Sequence, residues 1–231
     1  MKFKAVIFDL FGTLIDNFST EEHKAVLSSM ASVLGAESHS FIQSWFNTFQ
    51  MRSLGTFKSV EENIIHVCKE LNIRPKDKEI EKAAEIRFGY TKMSMIPKIG
   101  AVETLSTIRK LGYKTALISD CSTETPRVWD ETPFSTLFDV TIFSCLVGIK
   151  KPDIQIYKLA CDGLYVSSRH CLYIGDGSSN ELSGARSAGM FPIQIQDPRE
   201  ADAHRIDEEP WEGERISQIS EVLKMLGYHH K

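Results

Sequence analysis

Short apolar-rich runs recur along this chain, and their continuity constrains the fold more than any other feature. Ala5 to Phe8, Lys114 to Ile118, Val140 to Phe143, Cys171 to Ile174 and Phe191 to Ile195 are each short enough for one strand and bounded by turn residues. A strand with one wet face alternates apolar and polar residues, whereas an unbroken run suits a strand covered on both faces. Helix-period segments lie between them: Val102, Leu105, Ile108 and Leu111 up to Gly112; Ile154, Tyr157 and Cys161; Glu181 to Ala188 stopped by Gly189; and Ile216, Ile219, Val222, Leu223 and Leu226 up to Gly227. Strand–helix alternation implies an α/β fold with a doubly wound, Rossmann-like parallel sheet.

One region breaks this rhythm. Between about Asn17 and Met95 the spacing predicts helices around Lys24 to Leu34, Phe41 to Arg52, Val60 to Leu71 and Lys78 to Tyr90, separated by Gly35, Gly55 and the Arg74-Pro75 turn. The division is therefore an α/β core of residues 1–16 and 97–231 with a helical insertion, 17–96, placed after the first strand. Ile96-Pro97-Lys98-Ile99-Gly100 reads as its exit hinge, Asp16 as a hinge residue or helix cap, and Asp197 to Trp211 as an exposed loop.

A chain of 231 residues with net charge −4 carries no basic surface for nucleic acid or an anionic membrane, and no segment approaches a span. Cys68, Cys121, Cys145, Cys161 and Cys171 contain no C-x-x-C pair and read as reduced thiols. A cytoplasmic protein acting on a small anionic molecule, as monomer or homodimer, is the expectation. His66 and His170 have no ligand-spaced partners, and His229-His230 reads as a tail.

Ligands of open parallel sheets bind beyond the carboxyl ends of the strands. Reactive or charged residues follow four of the runs: Asp9, Ser119-Asp120, Lys150-Lys151-Pro152 and Gly175-Asp176. A carboxylate there can attack as a nucleophile and form an ester that water hydrolyses. Attack on an anionic phosphate needs compensating charge, which magnesium on Asp9 and Asp176 supplies together with Lys151. The Ser119 hydroxyl and backbone N–H groups at Gly12-Thr13 suit the equatorial oxygens. Each feature alone has a plainer reading: Asp9 as an Asx turn, Asp176 as a helix cap, and Lys150 as a solvated charge.

With these residues in order, Asp9-Leu10-Phe11-Gly12-Thr13, Ser119-Asp120, Lys151-Pro152-Asp153 and Gly175-Asp176-Gly177-Ser178-Ser179-Asn180-Glu181, the chain resembles the haloacid dehalogenase superfamily over nearly its whole length. The resemblance implies an Asp9 nucleophile, Mg2+ on Asp9, Asp176 and the Phe11 backbone carbonyl, Ser119 on the transferring group, and Lys151 as the orienting charge. Glu181, standing where the family usually has Asp, would hold a metal-bound water with Asn180. The helical insertion matches the family's cap, on which Trp45, Phe49 and Arg52 share a helical face. That face reads either a substrate carboxylate or phosphate, or it packs.

Phe11 departs from the pattern. The family's phosphatases carry a second Asp there as general acid and base, a contribution of roughly 10²- to 10⁴-fold. Its 2-haloacid dehalogenases carry an aromatic residue instead, but work without metal and lack the Asp of the fourth motif. The first motif is thus dehalogenase-like and the fourth phosphatase-like, with Asp120 open as a substitute carboxylate. The expected activity is magnesium-dependent phosphate hydrolysis from good leaving groups. Metal-free dehalogenation of a 2-halo acid, or a non-catalytic phosphometabolite-binding role, is the alternative.

Overall fold

The computed structural model describes residues 3–17, 19–200, 207–208 and 210–228. The His229-His230 pair and the middle of the 197–211 loop lie outside the described residues. After β1 (Ala5–Phe8) come α1 (Thr20–Leu34), α2 (Ser38–Asn47), α3 (Phe49–Ser53), α4 (Val60–Glu70) and α5 (Asp77–Ser94). Then follow α6 (Ala101–Lys110), β2 (Lys114–Ser119), α7 (Glu124–Val128), β3 (Val140–Phe143), α8 (Ser144–Val147), α9 (Ile154–Leu164), β4 (Cys171–Gly175), α10 (Glu181–Ser187), β5 (Phe191–Ile195), β6 (Arg215–Ile216) and α11 (Val222–Met225). The six strands form one sheet in the order β3-β2-β1-β4-β5-β6, and each pair is parallel.

Every residue of β1 and β4 is buried, which is why their sequences run apolar without alternation. One face packs Val6, Phe8, Leu117, Leu172 and Ile174 against α6 and α11 residues such as Leu105, Ile108 and Val222. The other packs Ala5, Ile7, Ala116, Ile118 and Tyr173 against α9 and α10 residues including Ile156, Tyr157 and Leu182. The helices of residues 20–94 bury a third apolar cluster of their own, from Leu27, Met30, Phe41, Trp45, Ile64, Val67 and Ala83.

Two elements differ from the periodicity. Residues Ile216 to Leu226 do not form a single helix: Ile216 belongs to β6, a 3-10 turn covers Ile219–Glu221, and α11 is one turn long. The edge of β5 decides this, because Gln194 N donates to Glu214 O (3.0 Å) and Gln196 N to Ile216 O (2.9 Å), satisfying groups that would otherwise lie open. The Phe41 to Arg52 pattern likewise splits at Thr48, where the Arg52 guanidinium reaches back to donate to Trp45 O (2.5 Å) and Thr48 Oγ1 (2.6 Å) at the end of α2. A cation on the last carbonyls of a helix offsets its dipole and ends it cleanly. Asp16 is exposed, and the α1 cap is Ser19, whose Oγ accepts from Glu22 N.

The entry and exit of the insertion run side by side: Ile15 bridges Pro97, and Lys98 N donates to Leu14 O (2.8 Å). Further out, Arg87 Nε on α5 donates to Glu124 Oε1 on α7 (2.7 Å), with both side chains nearly inaccessible to solvent. Removing one partner leaves the other charge buried. Arg87→Met is therefore expected to cost about 3–5 kcal/mol of stability in urea unfolding, where an exposed pair would cost about 1 or less.

Candidate active site

Parallel register brings the strand ends together. Phe8 stands level with Leu117 of β2 and Ile174 of β4, so Asp9, Ser119 and Asp176 emerge on one edge of the sheet. Asp9 N extends the ladder by donating to Ile174 O (2.9 Å). The chain then folds into a tight loop in which Leu14 N and Ile15 N both donate to Leu10 O (2.8 and 3.1 Å). Gly12 has φ +78°, and a Cβ there would collide with the Asp176 carboxylate, so glycine is required both for the turn and for the close approach. Lys98, which the sequence marks only as a hinge residue, is buried and donates from Nζ to Gly12 O (2.7 Å).

Lys151 joins from the loop after α8. Its backbone N donates to Asp120 Oδ1 (3.0 Å), and its Nζ donates to Asp9 Oδ1 (2.5 Å) and Glu181 Oε2 (2.6 Å). Asp176 Oδ1 accepts from Ser178 N (2.9 Å), and its Oδ2 from Asn17 Nδ2 (3.1 Å) and Ser178 Oγ (3.1 Å). Oxygens of Asp9, Asp176 and Glu181 all lie within 4.8 Å of one another, on three buried residues.

Charge is unbalanced here. Three carboxylates face one ammonium, and the protein's response is visible in their proton affinities. Burial, with Asp176 adding to it and Lys151 opposing, raises Asp9 to about 6. Burial and Asp9 push Glu181 well above the usual carboxylate range. Burial works against the Lys151 ammonium, but Asp9 and Glu181 outweigh it and hold its pKa well above normal. The donor set of hard oxygens with excess negative charge fits a small divalent cation.

Some expected residues are placed differently. Glu181 has both oxygens engaged by the protein: besides Lys151, Oε2 accepts from Tyr173 OH (2.7 Å), and Oε1 accepts from Gly177 N (3.0 Å). It sits fully buried under Lys151, since a Cβ on Gly175 would strike its carboxylate. Asn180 is exposed at the start of α10, next to the buried Glu181. Trp45 is buried among the apolar residues of the insertion, and the Arg52 guanidinium lies 4.8 Å from its ring centre and 5.7 Å from that of Phe49. Phe11 is half-buried at the position following Leu10. Two hydroxyls, Thr13 Oγ1 and Ser119 Oγ, are buried with no hydrogen-bond partner among the described residues. Tyr173 and Asn17 were not legible as site residues, because an aromatic in a strand and an amide in a loop carry no spacing signal.

A haloacid dehalogenase-like hydrolase family model matches residues 3–189. The chain belongs to this family of hydrolases. Its relatives include proteins named for two different chemistries. It is 24% identical over 201 residues to a protein named glyceraldehyde 3-phosphate phosphatase from Pyrococcus abyssi, covering 82% of this chain and 80% of that one. It is 26% identical over 239 residues to (S)-2-haloacid dehalogenase 4A from Burkholderia cepacia, covering 96% and 94%. The fold matches a crystal structure of a 2-haloacid dehalogenase from Pseudomonas syringae pv. tomato with TM-score 0.70, 18% identity and coverage of 97% and 98%. Among the described residues no helix is long and apolar enough to cross a membrane.

The raised Asp9 pKa has a signed consequence. Between the ordinary carboxylate value of 3.8 and about 6 the metal-free native state holds a proton that the unfolded state releases, so this residue's contribution falls as pH rises. Wild-type protein is therefore expected to gain stability relative to Asp9→Asn as pH drops from 7 to 4, measured by denaturant unfolding in chelator. A constant difference would mean that Asp9 titrates normally.

Proposed function

We propose that this family member is a magnesium-dependent phosphohydrolase for substrates whose leaving group departs without protonation, such as acyl or aryl phosphates. The observation that carries this reading is the set of three buried carboxylates, Asp9, Asp176 and Glu181, gathered against the single ammonium of Lys151. A haloacid carries one negative charge and makes no demand for such a set. A dication does, and an anionic phosphoryl group then meets a site whose charge is compensated.

Asp9 is the nucleophile of this reading. Its carboxylate oxygen attacks phosphorus, and Lys151, hydrogen bonded to Asp9 Oδ1, orients it and faces the incoming anion. Glu181, Tyr173 and the Asp120 contact to the Lys151 backbone fix that ammonium in place. Ser119 and Thr13, whose hydroxyls are unengaged, donate to the phosphoryl oxygens. Asp9, Asp176 and the Phe11 carbonyl would hold Mg2+, which supplies charge neutralisation when bound. The helical insertion, residues 17–96, closes over this edge as a cap. The substrate partner is a small anionic molecule.

Phe11 favours a second reading, hydrolytic dehalogenation of a short 2-halo acid at the same nucleophile. Halide leaves without a proton, so an apolar side chain costs nothing there. The relatives named 2-haloacid dehalogenases support it.

The deciding assay is hydrolysis of an aryl phosphate with Mg2+ and with chelator, Asp9→Asn serving as blank. Turnover that needs both the metal and Asp9 is expected. Halide release from a 2-halo acid that survives chelation would instead establish the second reading. A companion variant tests the role of Phe11: Phe11→Asp is expected to raise alkyl phosphate hydrolysis by roughly 10²-fold or more while changing aryl phosphate hydrolysis far less, the signature of a restored general acid.

A further inference from the structure

A covalent intermediate on Asp9 has to be opened by water, and water attacks well only when a base takes its proton. Phe11 supplies none. Two of the carboxylates near the nucleophile are engaged through both oxygens. Asp176 accepts from Ser178 N through Oδ1, and from Asn17 Nδ2 and Ser178 Oγ through Oδ2. Glu181 accepts from Gly177 N through Oε1, and from Lys151 Nζ and Tyr173 OH through Oε2. Asp120 differs. Its Oδ1 accepts from Lys151 N (3.0 Å), but its Oδ2 is buried with no hydrogen-bond partner among the described residues. Burying a carboxylate oxygen without a donor is unfavourable, and such an atom in a native site calls for a role.

Its position suits one. β1 and β2 pair in parallel with Phe8 level with Leu117, and three residues further along stand Phe11 in one chain and Asp120 in the other. Neighbouring chains thus leave the sheet side by side, one carrying an aromatic ring and the other a carboxylate. Lys151 spans the two acids, donating from N to Asp120 Oδ1 and from Nζ to Asp9 Oδ1 (2.5 Å). Lys150 Nζ lies 4.0 Å from Asp120 Oδ2, too far for a hydrogen bond.

The surroundings leave Asp120 basic. Burial raises its pKa, against Lys151, Lys150 and Ser179, which favour the ionised form. Tyr157 and Cys121 are the other ionisable groups that feel its charge. A carboxylate raised above its ordinary value accepts a proton more readily than one in water.

We propose that Asp120 is the general base of the second half-reaction, its Oδ2 taking a proton from the water that hydrolyses the intermediate on Asp9. The water oxygen bonds to phosphorus as the phosphorus–oxygen bond to Asp9 breaks. The electron pair of that bond returns to the Asp9 carboxylate, the proton passes to Asp120, and inorganic phosphate leaves. The first half-reaction, in which Asp9 displaces the leaving group, makes no use of Asp120, so the preference for leaving groups that need no proton stands. The inference rests on the reading of Asp9 as nucleophile.

Asp120→Asn separates the two half-reactions, because the amide oxygen still accepts from Lys151 N while the base is gone. With an aryl phosphate and Mg2+, rapid mixing of this variant is expected to show a burst of one aryloxide per chain at close to the wild-type rate. A steady state slowed roughly 10²-fold or more follows it. Acid-quenched variant protein then carries one phosphoryl group by mass spectrometry, absent when Asp9→Asn is added. Wild-type turnover in folded Asp120→Asn overturns the assignment. Slowed turnover with neither burst nor trapped phosphoryl group also overturns it, since a merely structural role gives that result. If Asp120→Asn does not fold, single-turnover dephosphorylation of the wild type in H2O and D2O decides: slowing in D2O is expected, and equal rates overturn the base. Wild-type protein inert to aryl phosphate but active on a 2-halo acid removes the phosphohydrolase reading alone. Substrate ester trapped on Asp9 in Asp120→Asn then supports the base, and its absence overturns it. Inertness to both substrates removes the nucleophile and this inference together.

Discussion

The rest of the site depends on one electrostatic constraint: three carboxylates gathered out of water against a single lysine. Burying an ion of this kind is strongly unfavourable unless partners compensate it. Lys151 answers part of the demand by bonding Asp9 and Glu181 at once, and Tyr173 OH and Gly177 N take the remaining Glu181 acceptors. A deficit of positive charge remains at this edge of the sheet, and it is the feature on which the proposed cation site rests.

Glu181 shows how a conservative difference redirects a residue. Its carboxylate lies beneath Lys151 and sets the height and direction of the ammonium, with Tyr157 OH holding the Glu181 carbonyl (2.8 Å) from the other side. Gly175 makes room for it, since any side chain there would occupy the same space. The helix carrying Glu181 is thus tied through its first residue to Lys151 and, by way of it, to Asp9. A second imbalance of opposite sign, Arg52 and Arg87 against Glu124, lies between the insertion and the core.

Much of this was legible in the chain. Runs such as AVIF and CLYI, apolar without alternation, specify strands buried on both faces, and the parallel sheet follows from the helices between them. Asp9, Ser119 and Asp176 were legible because each stands at the end of a strand, with Lys151 a little beyond the third, and strand ends in a parallel sheet share one edge. Less local features were hidden. The periodicity of Ile216, Ile219 and Val222 is helical in isolation, but Ile216 pairs with β5 because an open strand edge needs partners. The break at Thr48 depends on Arg52 folding back onto the end of α2.

The sequence by itself determined the strand–helix order and the helical character of residues 20–94, and it singled out Asp9, Lys151 and Asp176 as candidate site residues, because these follow from local pattern and from residue type. Only the tertiary structure decided which charges meet. Lys98 on Gly12, Glu181 beneath Lys151, and Arg87 on Glu124 join residues far apart in the chain. Their pairing is set by sheet register and by how the insertion lies against the core, and the strength of each pairing is set by exclusion of water. Neither quantity is carried by any single stretch of residues.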